Sequence, residues 1–382
     1  MSPRRTRPGR EPGWRDAGGR DMTPAVGTPG GPASWRRAAA GAAVALHQHD
    51  WRDARWSSIY RRGSRYASPD PVDPQRIEQA NLRGRRGEPP AVVQGPVMKA
   101  AVWTWEVPLY FWFGGMAAGA SFVGCACDLA GDERSARVAR KVALAALAPS
   151  PPLLVMDLGR PERFYNMLRI FKPRSPMSMG SWCLTIFGGL ASGAVGADLL
   201  GRRNTARRLG AANAVVAGYL GSYTGVLLAS TAVPVWSRSR LFLGPIFVST
   251  ATLTGAAATR LALSATGLPT DHPTCEALGR VENAAMTAEL LLSEINKHHL
   301  GDLASVLEDG VGAQWFHRAQ WLARAGLAAR LARRRMALAE HVSSVCFLAA
   351  ALCYRYAWVR SGRSSARDDE AVARTARERA PA

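Results

Sequence analysis

The stretch Trp103-Thr-Trp-Glu-Val-Pro-Leu-Tyr-Phe-Trp-Phe-Gly-Gly-Met-Ala-Ala-Gly119, continued to Leu129, decides the fold. After Glu106 no charged side chain follows until Asp128. From Val107 onward the run is long enough for one bilayer crossing, which takes roughly 20 apolar residues in a helix. The chain therefore reads as an integral, multi-pass membrane protein. Trp103, Trp105, Tyr110 and Trp112 stand at the start of the run, where aromatic rings lodge at headgroup level. Gly115-x-x-x-Gly119 lets a second helix approach closely.

Four more apolar runs follow, at Val138 to Leu158, Met179 to Leu200, Leu209 to Val233 and Leu243 to Ala265. Three weaker ones lie near Cys275 to Ile295, Trp315 to Leu331 and Met336 to Val359. The expectation is an all-α bundle of about eight transmembrane helices. The seventh segment carries His317, Arg318, Arg324 and Arg330, which suits a tilted, interfacial or partner-buried helix as well as a span. Continuous runs of this length exclude a β-barrel, whose strands alternate in polarity.

Whole-chain averages mislead. A net charge of +20 and a mean hydropathy of -0.09 suggest a soluble basic protein. Residues 1–100, however, hold 18 Lys and Arg against 9 Asp and Glu, with many Pro and Gly. Such a stretch buries too little apolar surface to offset chain entropy. The expected domains are a disordered Arg/Pro/Gly-rich tail over 1–95, a membrane bundle over 96–362 and a charged C-terminal tail over 363–382. Trp35-Arg36-Arg37 before Ala38 to Leu46 has the outline of a twin-arginine export signal, though no small-residue cleavage site follows. Met98 is an alternative start, with the tail then a translation-start artefact. His47 and His49 form an isolated pair whose plain reading is solvated histidine.

Calling the side where the first span begins side one, the short loops on side two carry more Arg and Lys: Arg134, Arg137, Arg140 and Lys141, then Arg202, Arg203, Arg207 and Arg208. Side two is thus expected in the cytoplasm and the tail outside. The six cysteines form no C-x-x-C pair, so a cluster of the ferredoxin type is unsupported. The histidines give no paired haem ligands within the five clear spans.

Candidate chemistry gathers at side one. The second run is broken by Pro149-Ser-Pro151-Pro152 and ends in Asp157, Arg160 and Arg163. Proline frees backbone groups that need neighbours or water, so a cavity mouth is one reading and a polar loop with an Asp157–Arg160 pair the other. Tyr219 and Tyr223 share a stripe of the fourth run, and a phenol at that depth needs a partner on a neighbouring helix or a ligand. Trp105, Glu106 and Tyr110 join them from the first span. An aromatic pocket with a few carboxylates and phenols suits a lipid-soluble quinone, whose ring needs apolar contact and whose oxygens need proton donors.

These motifs carry a resemblance. Trp103 to Phe111 with Gly114-Gly-Met-Ala-Ala-Gly119, Pro152-Leu-Leu-Val-Met-Asp-Leu-Gly-Arg-Pro-Glu-Arg-Phe164 and Lys172-Pro-Arg-Ser-Pro-Met-Ser-Met-Gly-Ser-Trp182 resemble the NrfD/polysulfide-reductase membrane subunits. Ser222-Tyr-Thr-Gly-Val-Leu-Leu228, Pro234-Val-Trp236 and the stretch Arg355 to Ala366 look like the later signatures. The resemblance implies a bundle without haem, metal or iron–sulfur cluster of its own, seated in the cell membrane. It implies docking on an iron–sulfur electron-transfer subunit, exchange with menaquinone or ubiquinone, and a catalytic subunit that is often a molybdopterin enzyme. By motif, Tyr110 aligns with a polar quinone contact, where some relatives carry His, and Tyr223 with the quinone-contacting tyrosine.

The roles expected from this are proton relay by Glu106 or Asp157, hydrogen bonds to a quinone carbonyl from Tyr110 and Tyr223, and charge neutralisation by Arg160, with Trp105 and Tyr219 in the lining. Two other classes compete. A non-redox transporter or proton-conducting protein would use Asp157, Glu282 and Glu289 as a relay. A binder of nucleic acid or anionic lipid would work through the tail, which has no recognisable nucleic-acid motif.

Overall fold

The computed structural model describes residues 98, 100, 101, 103–158, 164–332, 338–368, 371, 372 and 375. The tail assigned to residues 1–95 and the site candidate Arg160 lie outside the described residues. Within them the chain is a succession of helices with no strand. The α-helices are α1 (Glu106–Leu129), α2 (Glu133–Leu147), α3 (Ser150–Asp157), α4 (Asn166–Arg169), α5 (Pro176–Leu199), α6 (Arg203–Ala229), α7 (Pro234–Arg238), α8 (Arg240–Ala265), α9 (Pro273–Leu300), α10 (Ser305–Glu308), α11 (Val311–Leu331) and α12 (Leu338–Ser365).

Six helical segments are long and apolar enough to cross a membrane: α1, α2 with α3, α5, α6, α8 and α12. The sixth and seventh expected segments are long helices too, α9 and α11, but more polar than those six. The fourth span, α6, ends at Ala229 instead of the Val233 that its apolar run reaches. Val233 precedes a proline and sits in extended backbone, as steric conflict with the ring requires, and Pro234 then opens α7. Tyr223 is therefore six residues from the helix end, about 9 Å deep at 1.5 Å per residue, and not the roughly 15 Å that the longer helix implied.

Local chemistry explains the breaks. On side two, α1, α5 and α8 all end the same way, with Gly131, Gly201 and Gly267 at positive φ. The next amide then bonds back five residues, at 2.9 Å from Asp132 to Cys127, 2.8 Å from Arg202 to Ala197 and 3.1 Å from Leu268 to Leu263. Asp132 caps α2 by accepting from the Ser135 amide at 3.0 Å. Serine caps α5 as well, Ser175 accepting from the Ser178 amide at 3.4 Å. The Ser178 hydroxyl ties down the preceding loop, accepting from the Lys172 amide at 3.0 Å and donating to the Ile170 carbonyl at 3.2 Å.

The close approach anticipated at Gly119 is realised against Gly255 of α8. A Cβ on Gly119 would lie 1.8 Å from the Ala251 carbonyl oxygen, and one on Gly255 would lie 2.0 Å from the Gly119 carbonyl carbon. The two backbones touch, so neither position tolerates a side chain. This contact anchors the first span to the fifth.

Buried ions close side two. In the first half Arg140 binds Asp128 at 2.5 Å and Asp198 at 2.7 and 2.9 Å, joining α2 to the ends of α1 and α5. In the second half Arg260 of α8 and Arg330 of α11 meet Glu282 of α9 and Glu340 of α12, and Ser344 also donates to Glu282 at 3.0 Å. Between these clusters, Asp132 accepts from the Thr274 hydroxyl at 2.5 Å and so links α2 to α9.

Candidate functional site

At side one, α1, α3, α5 and α6 converge on an aromatic cluster. Tyr110 and Phe111 from α1, Leu153 from α3, Cys183 and Phe187 from α5, and Tyr223 from α6 are buried together. Tyr219 lies one turn from Tyr223, its ring centroid 6.0 Å away, and packs against the same cluster that holds Tyr110. Tyr110 and Tyr223 are 2% and 6% exposed. Among the described residues, neither hydroxyl has a hydrogen-bond partner. Neither oxygen is among the fully buried atoms that lack a partner, so each phenol can reach a polar atom from outside the described protein.

The Lys172 to Trp182 motif makes room for this arrangement. A Cβ on Gly180 would stand 2.2 Å from the Tyr223 hydroxyl and ring, so only glycine lets the phenol occupy its position. Gly180 is thus a site residue that sequence reasoning left unassigned; its signal was a lone glycine within a polar run, which by itself points to no partner.

The remaining candidates fall into place unequally. Glu106 is buried one turn from Tyr110 on the same face of α1, and the Thr104 hydroxyl donates to its carboxylate. Asp157 is half-buried at the end of α3. Trp105 is 47% exposed, and its backbone carbonyl accepts from the Tyr356 hydroxyl at 3.1 Å. The tryptophan packed on the cluster is Trp103, edge-on to Phe111 at 6.2 Å and stacked on Trp236 at 5.1 Å. Trp236 in turn donates to the Trp358 carbonyl at 2.9 Å, so α7 and α12 brace the wall from behind. Of the competing relay, Glu282 is bound to Arg330 and Arg260, while Glu289 lies seven residues nearer side one.

A multi-pass helical membrane protein with a phenol-lined cluster near one end of its first four spans is the class defined so far. The family model "Polysulphide reductase, NrfD" matches residues 96–295, more than half of the chain, and the chain belongs to that family. The family is one of membrane subunits of quinone-interacting oxidoreductase complexes, typically assembled with iron–sulfur and catalytic subunits. No curated protein matches the chain.

Proposed function

We propose that this chain is the quinone- or quinol-interacting anchor of a multi-subunit oxidoreductase in the cell membrane, exchanging electrons with an iron–sulfur partner. A catalytic subunit, often a molybdopterin enzyme in such complexes, would complete the assembly. The observation that carries this reading is the pair of buried phenols, Tyr110 and Tyr223, whose hydroxyls have no partner among the described residues inside an otherwise apolar cluster. The donor set fits menaquinone or ubiquinone: flat apolar walls for the ring and two O–H groups for its carbonyls. A bound quinone supplies two-electron, two-proton chemistry.

The protein's own residues have separable tasks in this reading. Tyr110 and Tyr223 donate hydrogen bonds and orient the ring. Tyr219 and Trp105 line the approach. Glu106 and Asp157, buried and half-buried at the side-one end, pass protons between the cluster and bulk water. Arg160 neutralises negative charge that develops nearby. The bundle crosses the membrane eight times, and within α9 and α11 the buried charges Glu282 and Arg330 answer each other, with Arg260 of α8 beside Glu282. The non-redox relay is the weaker reading, because Glu282 is locked between two arginines.

Quinone binding tests the proposal. Purified wild-type protein should bind a menaquinone or ubiquinone analogue, and Tyr223→Phe should weaken that affinity about tenfold, equivalent to about 1.4 kcal/mol for one lost hydrogen bond. Gly180→Ala, which pushes the ring from its place, should weaken it at least as much. Equal affinity in all three proteins would overturn the site, and no affinity in any would overturn the function.

A further inference from the structure

We propose that Glu289 is a proton-exchanging carboxyl that takes and returns its proton through a hydrated cavity between α8, α9, α11 and α12. The cavity measures about 60 Å³ for water-sized molecules. By that measure a single water needs roughly 10–15 Å³ and two to four polar partners, so the space holds several. Glu289, Ser293, Glu294, Lys297, Gln320 and Tyr354 supply its polar lining.

Glu289 sits midway along α9 and is 7% exposed. Its carboxylate accepts from the Ser293 hydroxyl at 3.1 Å, and Ser293 lies 2.5 Å from the Tyr354 hydroxyl. Among the described residues no cation stands within ion-pair distance, in contrast to Glu282, which has two arginines. A carboxylate removed from water needs donors or compensating charge, and it otherwise takes up a proton. The compensation here acts through space: Arg355 of α12 attracts Glu289 without touching it. That guanidinium is itself buried over the Phe247 ring at 4.1 Å, and its Nε and Nη1 have no hydrogen-bond partner.

The groups facing Glu289 are few. Its own helix brings Ser293, Glu294 and Lys297; α12 brings Tyr354 and Arg355; α8 and α11 bring Thr250, Phe316, Ala319 and Gln320, none of which titrates. A carboxyl with hydroxyl donors beside it and one distant cation can exist charged or neutral, as proton exchange requires. The route is also one-sided. Lys297 is eight residues from Glu289 toward side one, about 12 Å along the helix. Toward side two the next ionisable group facing the interior is Glu282, sealed in a cluster of two acids and two arginines. Loading turns the carboxylate and one proton from cavity water into a carboxylic acid; release reverses it, with no electron transferred.

Infrared titration of the full chain in lipid nanodiscs tests this without any quinone, so its outcome is independent of the Tyr223 experiment. A protonated-carboxyl C=O band should grow as pH falls and shift to lower frequency in D2O. It should vanish in Glu289→Gln, persist in Glu289→Asp and in Glu133→Gln, an exposed carboxyl outside the cavity, and move in frequency in Tyr354→Phe. A band that survives Glu289→Gln overturns the assignment, as does the absence of any such band from the wild type. A band suppressed by sodium at fixed pH overturns it too, making the site one for a metal cation.

Discussion

The two halves of the bundle, α1 to α6 and α8 to α12, treat their interiors differently. Both close side two with buried ion pairs, Arg140 with Asp128 and Asp198 in one, Arg260 and Arg330 with Glu282 and Glu340 in the other. Toward side one they part. The first half holds phenols and apolar side chains around Tyr110 and Tyr223 and keeps its one buried acid among the described residues there, Glu106, at the start of α1; the second holds a carboxylate and a guanidinium inside the bundle, Glu289 and Arg355. A neutral aromatic molecule can enter the first without leaving a charge unpaired. A charge in the second has to be met by a proton or by water. One chain thus lines the interior of its first half with rings and sets a carboxylate and a guanidinium inside its second.

The largest effect should come from breaking the side-two seal of the second half. Glu282 is fully buried and answers two arginines, so Glu282→Ala leaves two positive charges with one acid between them. Removing one member of a buried cluster costs about 3–5 kcal/mol. The variant should lose most of its folded yield and melt well below the wild type in detergent. Glu282→Leu combined with Arg330→Met removes one charge of each sign and should recover most of that loss. If Glu282→Ala alone melts like the wild type, the seal is not structural and the contrast between the halves fails.

A smaller loss is expected where the halves meet. Gly119→Ala drives a methyl into the Ala251 carbonyl, so α1 and α8 must separate. Overpacking of this kind costs about 1–3 kcal/mol. Because Gly119 is two and a half turns from Tyr110 on the same helix, quinone affinity should fall less than stability does. Parallel melting and binding measurements check the order of the two effects.

What the sequence discloses follows from how local its cause is. The first span is legible because an uncharged run of that length has few alternatives, and the break between α2 and α3 because Pro149, Pro151 and Pro152 impose it. Tyr219 and Tyr223 are legible as a pair because four residues return a helix to the same face. The role of Gly180 is not, since it depends on a tyrosine brought near only by the crossing of α5 and α6. Nor is that of Gly255, hidden in a run of small residues until α1 lies against it. Arg330 reads as a charge that spoils a span, and its meaning appears only when Glu282, 48 residues earlier, is folded against it. The end of α6 is not legible either, because Ala232 and Val233 continue its apolar pattern while the proline after them decides the backbone.

The smallest effect concerns the tie between the halves. Asp132 caps α2 in the first half and accepts from Thr274 at the start of α9 in the second. Partial burial would raise its carboxyl above the usual range, but the hydrogen bonds from Ser135 and Thr274 outweigh it and hold the group below. A carboxyl lowered by folding stabilises the protein above its unfolded value of about 3.9, and that contribution fades as pH falls through the folded value. Asp132→Ala should therefore cost about 1 kcal/mol near neutral pH, the usual worth of such a cap, and the gap to the wild type should close below about pH 4. Asp132→Asn keeps an acceptor oxygen for the Ser135 amide and should lose only a few tenths of a kcal/mol near neutral pH, a gap that also narrows as the wild-type carboxyl takes up its proton. Melting curves of the three proteins from pH 3 to 7 separate the cap from the charge. A loss in Asp132→Ala that stays constant across this range would mean that the tie between the halves rests on packing at Thr274 and not on the carboxylate.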